Sequence, residues 1–156
     1  MTADPADTDA MVAYMGAHMV DRTPQAVAMG MRLVSSAAGD AAMAVPWRAD
    51  LVGDPATGVL AGGVITTLLD HVCGLAVMTA VGHERGCATL DLRIDYMRAA
   101  EPGREVVGRA HCYKLTTSIA FVRAVAFDAD AADPVATAQG AFAITARSMP
   151  APSAAL

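Results

Sequence analysis

The stretch LAGGVITTLLDHVCGLAVM, Leu60 to Met78, decides how the chain folds. Its apolar residues do not alternate, and wound as a helix they cover nearly all sides, which predicts a fully buried helix over 62–80. Two glycines open the run, and Asp70 sits among Leu68, Leu69, Val72 and Leu75. A carboxylate in that company is costly unless something compensates for its lost water, and such a cost is often retained where a site needs the charge. The run is long enough for a membrane span, but Thr66, Thr67, Asp70 and His71 at its centre argue against one.

On the C-terminal side everything reads as strand. In ATLDLRIDYM, Ala88, Leu90, Leu92, Ile94 and Tyr96 alternate with Thr89, Asp91, Arg93 and Asp95, the pattern of a half-buried strand. AEPGRE predicts a turn, followed by strands at about 104–115, 118–128 and 134–146. SIAFVRAVAF is apolar on both faces, so its second face is expected to be covered as well, by another subunit.

On the N-terminal side, Met11, Met15 and Met19 at helical spacing predict a helix from Thr8 to about Val20, capped by Thr8 or Asp9. A short helical piece from Pro24 to Ala28 precedes two strands, 30–36 and 40–47, and RADLVGDPATG is expected to be an irregular loop. The order is helix, two strands, one long buried helix, four strands: an α+β domain with an antiparallel sheet wrapped around a central helix. At 156 residues there is room for one domain, placed at 9–146 between loose ends at 1–8 and 147–156.

Composition narrows the function. A net charge of −5 with no basic stripe argues against nucleic-acid binding. Three cysteines in apolar or strand-like settings read as reduced thiols, and MTADPADTDA lacks the basic residues and apolar run of a signal peptide; both predict a cytoplasmic protein. His18, His83 and His111 have no metal-ligand spacing with each other or with the cysteines, so no metal site is expected. There is no G-x-S-x-G nucleophile elbow, and GVLAGG lacks a phosphate-loop Lys.

Two segments taken together, GVLAGGVITTLLD (Gly58–Asp70) and TLDLRIDYMRAA (Thr89–Ala100), resemble the hotdog-fold thioesterases of the phenylacetate-degradation (PaaI-like) type. The resemblance spans roughly residues 25–146. In that family the helix opens with His-Gly-Gly and an acidic residue follows nine positions after the His, the place of Asp70. The resemblance implies hydrolysis of acyl-CoA thioesters to free acid and CoA without a cofactor. Asp70 takes the position of the general base or nucleophile, Gly63 and Gly62 that of the helix N-terminal amides that polarise the thioester carbonyl, and Thr89 that of a hydroxyl holding the water. It further implies a homodimer, or a dimer of dimers, with each site shared across an interface.

Elementary chemistry stands beside these implications. A helix N-terminus offers unpaired N–H groups and partial positive charge to a developing oxyanion. Glycine there lets a substrate carbonyl approach without a Cβ in the way. The chain departs from the family where the His of His-Gly-Gly is Ala61, and where an Asn usual before it has only Asp54 of GDPATGVL as a counterpart, one residue further away. For the CoA phosphates, the candidate contacts are Lys114 with Thr116 and Thr117 at a turn between strands, and Arg147 after the last strand.

Plainer readings compete with each of these. Asp70 would serve structure alone if paired with an Arg such as Arg93; Gly62–Gly63 would be a tight helix entry, Thr89 an ordinary strand residue, and Asp54 a turn residue. His71, next to Asp70, points to another side of the helix. Two rival functions remain. A hotdog hydratase needs a catalytic His, which DPATGVLAGG lacks, and a non-catalytic acyl-CoA-binding protein would tolerate Ala61 and bind CoA tightly without turnover.

Overall fold

Every strand of the main sheet packs against one helix, Gly62–Val81. The computed structural model describes residues 14, 16–82 and 85–146. The ends expected to be loose (1–8, 147–156), the cap at Thr8 or Asp9, Met11 and Met15 lie outside the described residues; of the first predicted helix, residues 16–21 are helical. Then follow α1 (Pro24–Ala28), β1 (Arg32–Ala37), β2 (Asp40–Val45), β3 (Val52–Asp54), β4 (Val59–Leu60) and α2 (Gly62–Val81). The last four strands are β5 (Gly86–Tyr96), β6 (Val106–Leu115), β7 (Ile119–Phe127) and β8 (Ala136–Thr145).

The main sheet is antiparallel in the order β1-β2-β6-β7-β8-β5. This is the hotdog arrangement expected from the sequence. Met43 and Val45 of β2, Val106 of β6, Val122 of β7 and Phe142 of β8 meet Leu68, Leu69, Val72 and Leu75 of α2 in one core. A Cβ on Gly108 would lie 3.0 Å from Leu68 Cγ and 3.3 Å from Val72, so this glycine lets the helix lie close on the sheet. The buried hydroxyl of Thr79 is satisfied: it accepts the Gly39 N–H and donates to the Ala76 carbonyl. By length and apolar composition α2 would also suit a membrane span, yet 67% of its most apolar window is buried inside the domain.

Three expectations need correction. RADLVGDPATG is not irregular: it holds a 3-10 turn (Ala49–Leu51), and β3 pairs with β4 in a small second sheet. Its Pro55 and Gly58 fall in the connection between the two strands, where they break no ladder. Helix α2 is not buried throughout, since Gly62, Gly63 and Thr66 are exposed and Asp70 is half-buried. The alternation read in β5 also breaks, because the register slips between Thr89 and Asp91. Leu90, expected inside, is the extra residue of this bulge and is 59% exposed.

One ion pair closes the end of the sheet. Arg98, just after β5, holds Asp128 through two hydrogen bonds of 2.9 and 2.6 Å, and Asp128 also accepts the Glu101 N–H. The Asp128 side chain is 2% exposed. The Arg98 guanidinium keeps its carboxyl well below the usual carboxylate range, and the pairing pushes the guanidinium up in turn.

Candidate active site

The β5 bulge has a chemical consequence. Adding one residue to a strand inverts which side chains face the core. From Leu92 onward the even residues pair with Gly140, Ala138 and Ala136, whereas before the bulge Cys87 and Thr89 pair with Ile144 and Phe142 on that same face. Thr89, outward in simple alternation, therefore points at the helix. Gly140 makes room for the bulge: a Cβ there would lie 2.8 Å from the Asp91 carbonyl oxygen.

Helical spacing puts Gly62, Thr66, Asp70 and Gly74 on one stripe of α2, and β5 runs antiparallel along it. The Cys87 thiol reaches the Gly74 carbonyl, Thr89 Oγ1 donates to Asp70 Oδ1 at 2.9 Å, and Tyr96 lies against Thr66 and Gly62. Arg93 does not serve Asp70; it pairs with Asp95 on the other face of the sheet. Among the described residues no cation forms an ion pair with Asp70. His71 points away, its Nδ1 3.2 Å from the Thr67 carbonyl. Burial, and after it the charge of Asp70, pushes the Cys73 thiol up to about 12 and the Cys87 thiol to about 11. Neither is a thiolate nucleophile at neutral pH.

The helix start is equally open. Ala61 occupies the N-cap and offers no side-chain bond, and a Cβ on Gly63 would meet nothing within 4 Å. The first-turn N–H groups of Gly62 and Gly63 have no acceptor within the helix. Both glycines lower helix propensity, and packing inside the chain demands neither: a Cβ on Gly62 would only touch Tyr96, at 3.7 Å. The Thr66 and Tyr96 hydroxyls both reach the Gly62 carbonyl, at 3.2 and 2.8 Å, and Thr67 donates to that of Gly63. Sequence reading missed Tyr96 and Thr66; the available signal was Thr66 four residues after Gly62. Beside Gly62 a groove of about 340 Å³ opens between Leu60, Ile65, Met97, Ala100 and Val135.

Gly63 and Asp70 do not meet. Seven residues of α-helix separate them by about 10 Å along the axis. An oxyanion donor must stand about 3 Å from the reacting oxygen. Within one chain the two groups therefore lie too far apart to touch the same atom.

The other predicted contacts lie elsewhere. Asp54 builds its own turn, accepting from the Ala56 N–H and the Thr57 hydroxyl. Thr116 shapes the β6–β7 hairpin by bonding the backbone of Ile119, and the Thr117 carbonyl accepts from Arg85. Arg85 sits just before β5 and joins exposed Lys114 as a cation at that end of the sheet, unnoticed in the sequence because contact across 32 residues leaves no local pattern. Arg147 lies outside the described residues. Among the described residues no group of three or more His, Cys, Asp or Glu is placed to hold a metal.

Comparison with known proteins bears on this geometry. The profile of the thioesterase superfamily matches residues 57–134, half of the chain, from the approach to α2 through the β7–β8 connection. The chain belongs to the thioesterase superfamily. A solved structure of a Pseudomonas aeruginosa protein is 32% identical with a TM-score of 0.77, over 85% of this chain and 98% of that one. A variant of the phenylacetic acid degradation protein PaaI from Thermus thermophilus is 28% identical, with a TM-score of 0.68, over 78% of this chain and 98% of its own. Mouse acyl-coenzyme A thioesterase 13 is 38% identical over 66 residues, which are 41% of this chain and 45% of that protein. The match thus spans less than half the length of this curated relative.

Proposed function

We propose that this thioesterase-superfamily chain hydrolyses acyl-CoA thioesters to the free acid and CoA in the cytoplasm, without metal or redox cofactor. Asp70 acts as general base on water or as nucleophile, and Thr89 steadies the water or the carboxylate. The Gly63 amide, with Gly62 beside it, stabilises the oxyanion, and the thiolate of CoA leaves. The observation that carries this reading is the Thr89–Asp70 hydrogen bond on the open half of α2, with no cation among the described residues neutralising the carboxylate. The groove beside Gly62 offers an apolar wall to the acyl group. Lys114 and Arg85 are the candidates for the CoA phosphates, with Thr116 and Thr117 shaping their turn and Arg147 a further candidate.

The 10 Å between Gly63 and Asp70 favours a site shared by two copies. Strand β5 is an edge strand of eleven residues with Leu90 and Tyr96 exposed, as is Met97 just after it, an invitation to pairing. Within one chain, Thr89 marks the level of Asp70 and Tyr96 that of Gly62. Two β5 strands paired antiparallel, Thr89 opposite Tyr96 of a second copy, bring the glycines of one copy to the aspartate of the other. A dimer of dimers would use the outer sheet face, where Asp40, His111, Arg123, Gln139 and Arg93 form one rung across five strands. Carrying both charges, that rung can complement itself across a two-fold axis.

The test is CoA release from short, medium, long and aromatic acyl-CoAs, comparing the native chain with Asp70→Asn. Turnover should fall about 10²–10⁴-fold in the near-isosteric variant with fold and oligomer intact. Activity untouched by the substitution would sink the mechanism. Tight CoA binding with no turnover on any substrate would favour the acyl-CoA-binding alternative that Ala61 permits.

A further inference from the structure

The carbonyl of Gly62 and the N–H of Gly63 belong to a single peptide unit. Two hydroxyls converge on that carbonyl: Tyr96 at 2.8 Å and Thr66 at 3.2 Å, the two being 2.6 Å from each other. Three oxygens share two protons in this triangle. Only one hydroxyl can donate to the other, which leaves the second hydroxyl's proton free for the Gly62 oxygen. Hydrogen bonds in a chain polarise each other, and a donor on a peptide carbonyl draws electron density from the nitrogen at its far side. The Gly63 N–H is thereby made a stronger donor, and the plane of the peptide is fixed. Simple packing explains this triangle poorly, because Tyr96 is 51% exposed and its hydroxyl returns to a backbone atom at the uncapped end of the helix.

We propose that Tyr96, seconded by Thr66, is a positioning residue for the oxyanion donor: its hydroxyl orients and polarises the Gly62–Gly63 peptide whose N–H faces the thioester oxygen. The proposal rests on the thioesterase reading for its catalytic meaning, but the coupling from hydroxyl to amide is a property of the folded chain. Tyr96 touches no reacting atom in this scheme. Its loss should therefore slow the chemical step and leave substrate affinity nearly unchanged.

The experiment compares the native protein with Tyr96→Phe, Thr66→Val, Thr66→Ser and the Tyr96→Phe/Thr66→Val double variant. Three quantities are read from each: kcat and KM on the best acyl-CoA, the Gly63 amide proton and nitrogen shifts in ¹⁵N-labelled protein, and the melting temperature. Tyr96→Phe should lower kcat about 3–10-fold with KM within about twofold. It should move the Gly63 amide proton to higher field, with the double variant moving it furthest. Thr66→Ser should hold both readouts near the native values and Thr66→Val should not. If the double variant leaves the Gly63 resonance and kcat where they were, the proposal is overturned while the thioesterase reading stands. If the resonance stays and kcat falls with rising KM, Tyr96 binds substrate instead and the proposal is equally overturned. A native chain that turns over no acyl-CoA would defeat the thioesterase reading. A displaced Gly63 resonance would then still support the coupling, and an unmoved one would end it.

Discussion

The two halves of α2 differ more than one helix of uniform composition would. From Val72 to Thr79 every residue is buried, and on all sides. From Gly62 to Asp70 only Val64, Ile65, Leu68 and Leu69 are buried, while Gly62, Gly63, Thr66, Thr67 and Asp70 stand at least partly open. The sheet covers one side of both halves. The other side of the second half is closed by the helical segment 16–21, whose Val20 joins the core and whose Met19 comes within 4 Å of where a Cβ on Gly74 would lie. Nothing within the described chain closes the first half. One half therefore exists for stability. The other keeps two helix-weakening glycines and a carboxylate that no cation among the described residues neutralises.

Substitutions should sort by half. Asp70→Asn is expected to cost activity by orders of magnitude while the melting temperature holds. Leu75→Ala, in the closed half, should do the reverse, losing about 2–5 kcal/mol of stability by denaturant unfolding with kcat per folded molecule unchanged. Equal effects of both substitutions on both readouts would erase the distinction.

Asp128, outside both halves, calibrates what a purely structural carboxylate does. Its pKa in the fold lies below its unfolded value, so its contribution is complete above about pH 4 and is lost as pH falls through the depressed pKa. Asp128→Asn should cost roughly 3 kcal/mol at neutral pH, and the gap between variant and native protein should begin to narrow below about pH 4 and shrink further with more acid. Activity per folded molecule should not change. A gap that persists in acid would mean the pair with Arg98 is not its source.

A smaller effect is expected at Gly140. Gly140→Ala pushes a methyl onto the Asp91 carbonyl and should cost about 1–3 kcal/mol. Because the bulge it supports aims Thr89 at Asp70, turnover should fall as well. Gly108→Ala, which presses on Leu68, should destabilise without that loss. Equal activity in both variants would show that the bulge is irrelevant to the site.

Local pattern was enough for most of the fold. Four strands after one long helix could be read because runs of nine to eleven residues bounded by turn residues are long enough to show as strands even where a bulge breaks the alternation. The β3–β4 pair was hidden, since two- and three-residue strands are too short to show a period. The site was less legible. Asp70 and the glycines stood out as misfits in an apolar helix, whereas their roles rested on a family resemblance. Simple alternation would turn Thr89 outward, and the bulge that turns it to Asp70 depends on Gly140, some fifty residues away. A glycine inside an alternating strand was the one local hint. Tyr96 looked like the last apolar residue of a strand, and only folding brings its hydroxyl to Gly62.

The most direct measurement is subunit complementation. Asp70→Asn keeps the amide donor and loses the carboxylate; Gly63→Pro keeps the carboxylate and deletes the N–H, at a first-turn position where proline is tolerated. Each variant alone should be nearly inactive. Unfolded together and refolded at equal concentration, half the dimers should be mixed and each should hold one intact site, restoring about a quarter of native turnover. Mixed dimers that form, as native mass spectrometry would show, yet stay inactive would contradict a site built from the open halves of two helices.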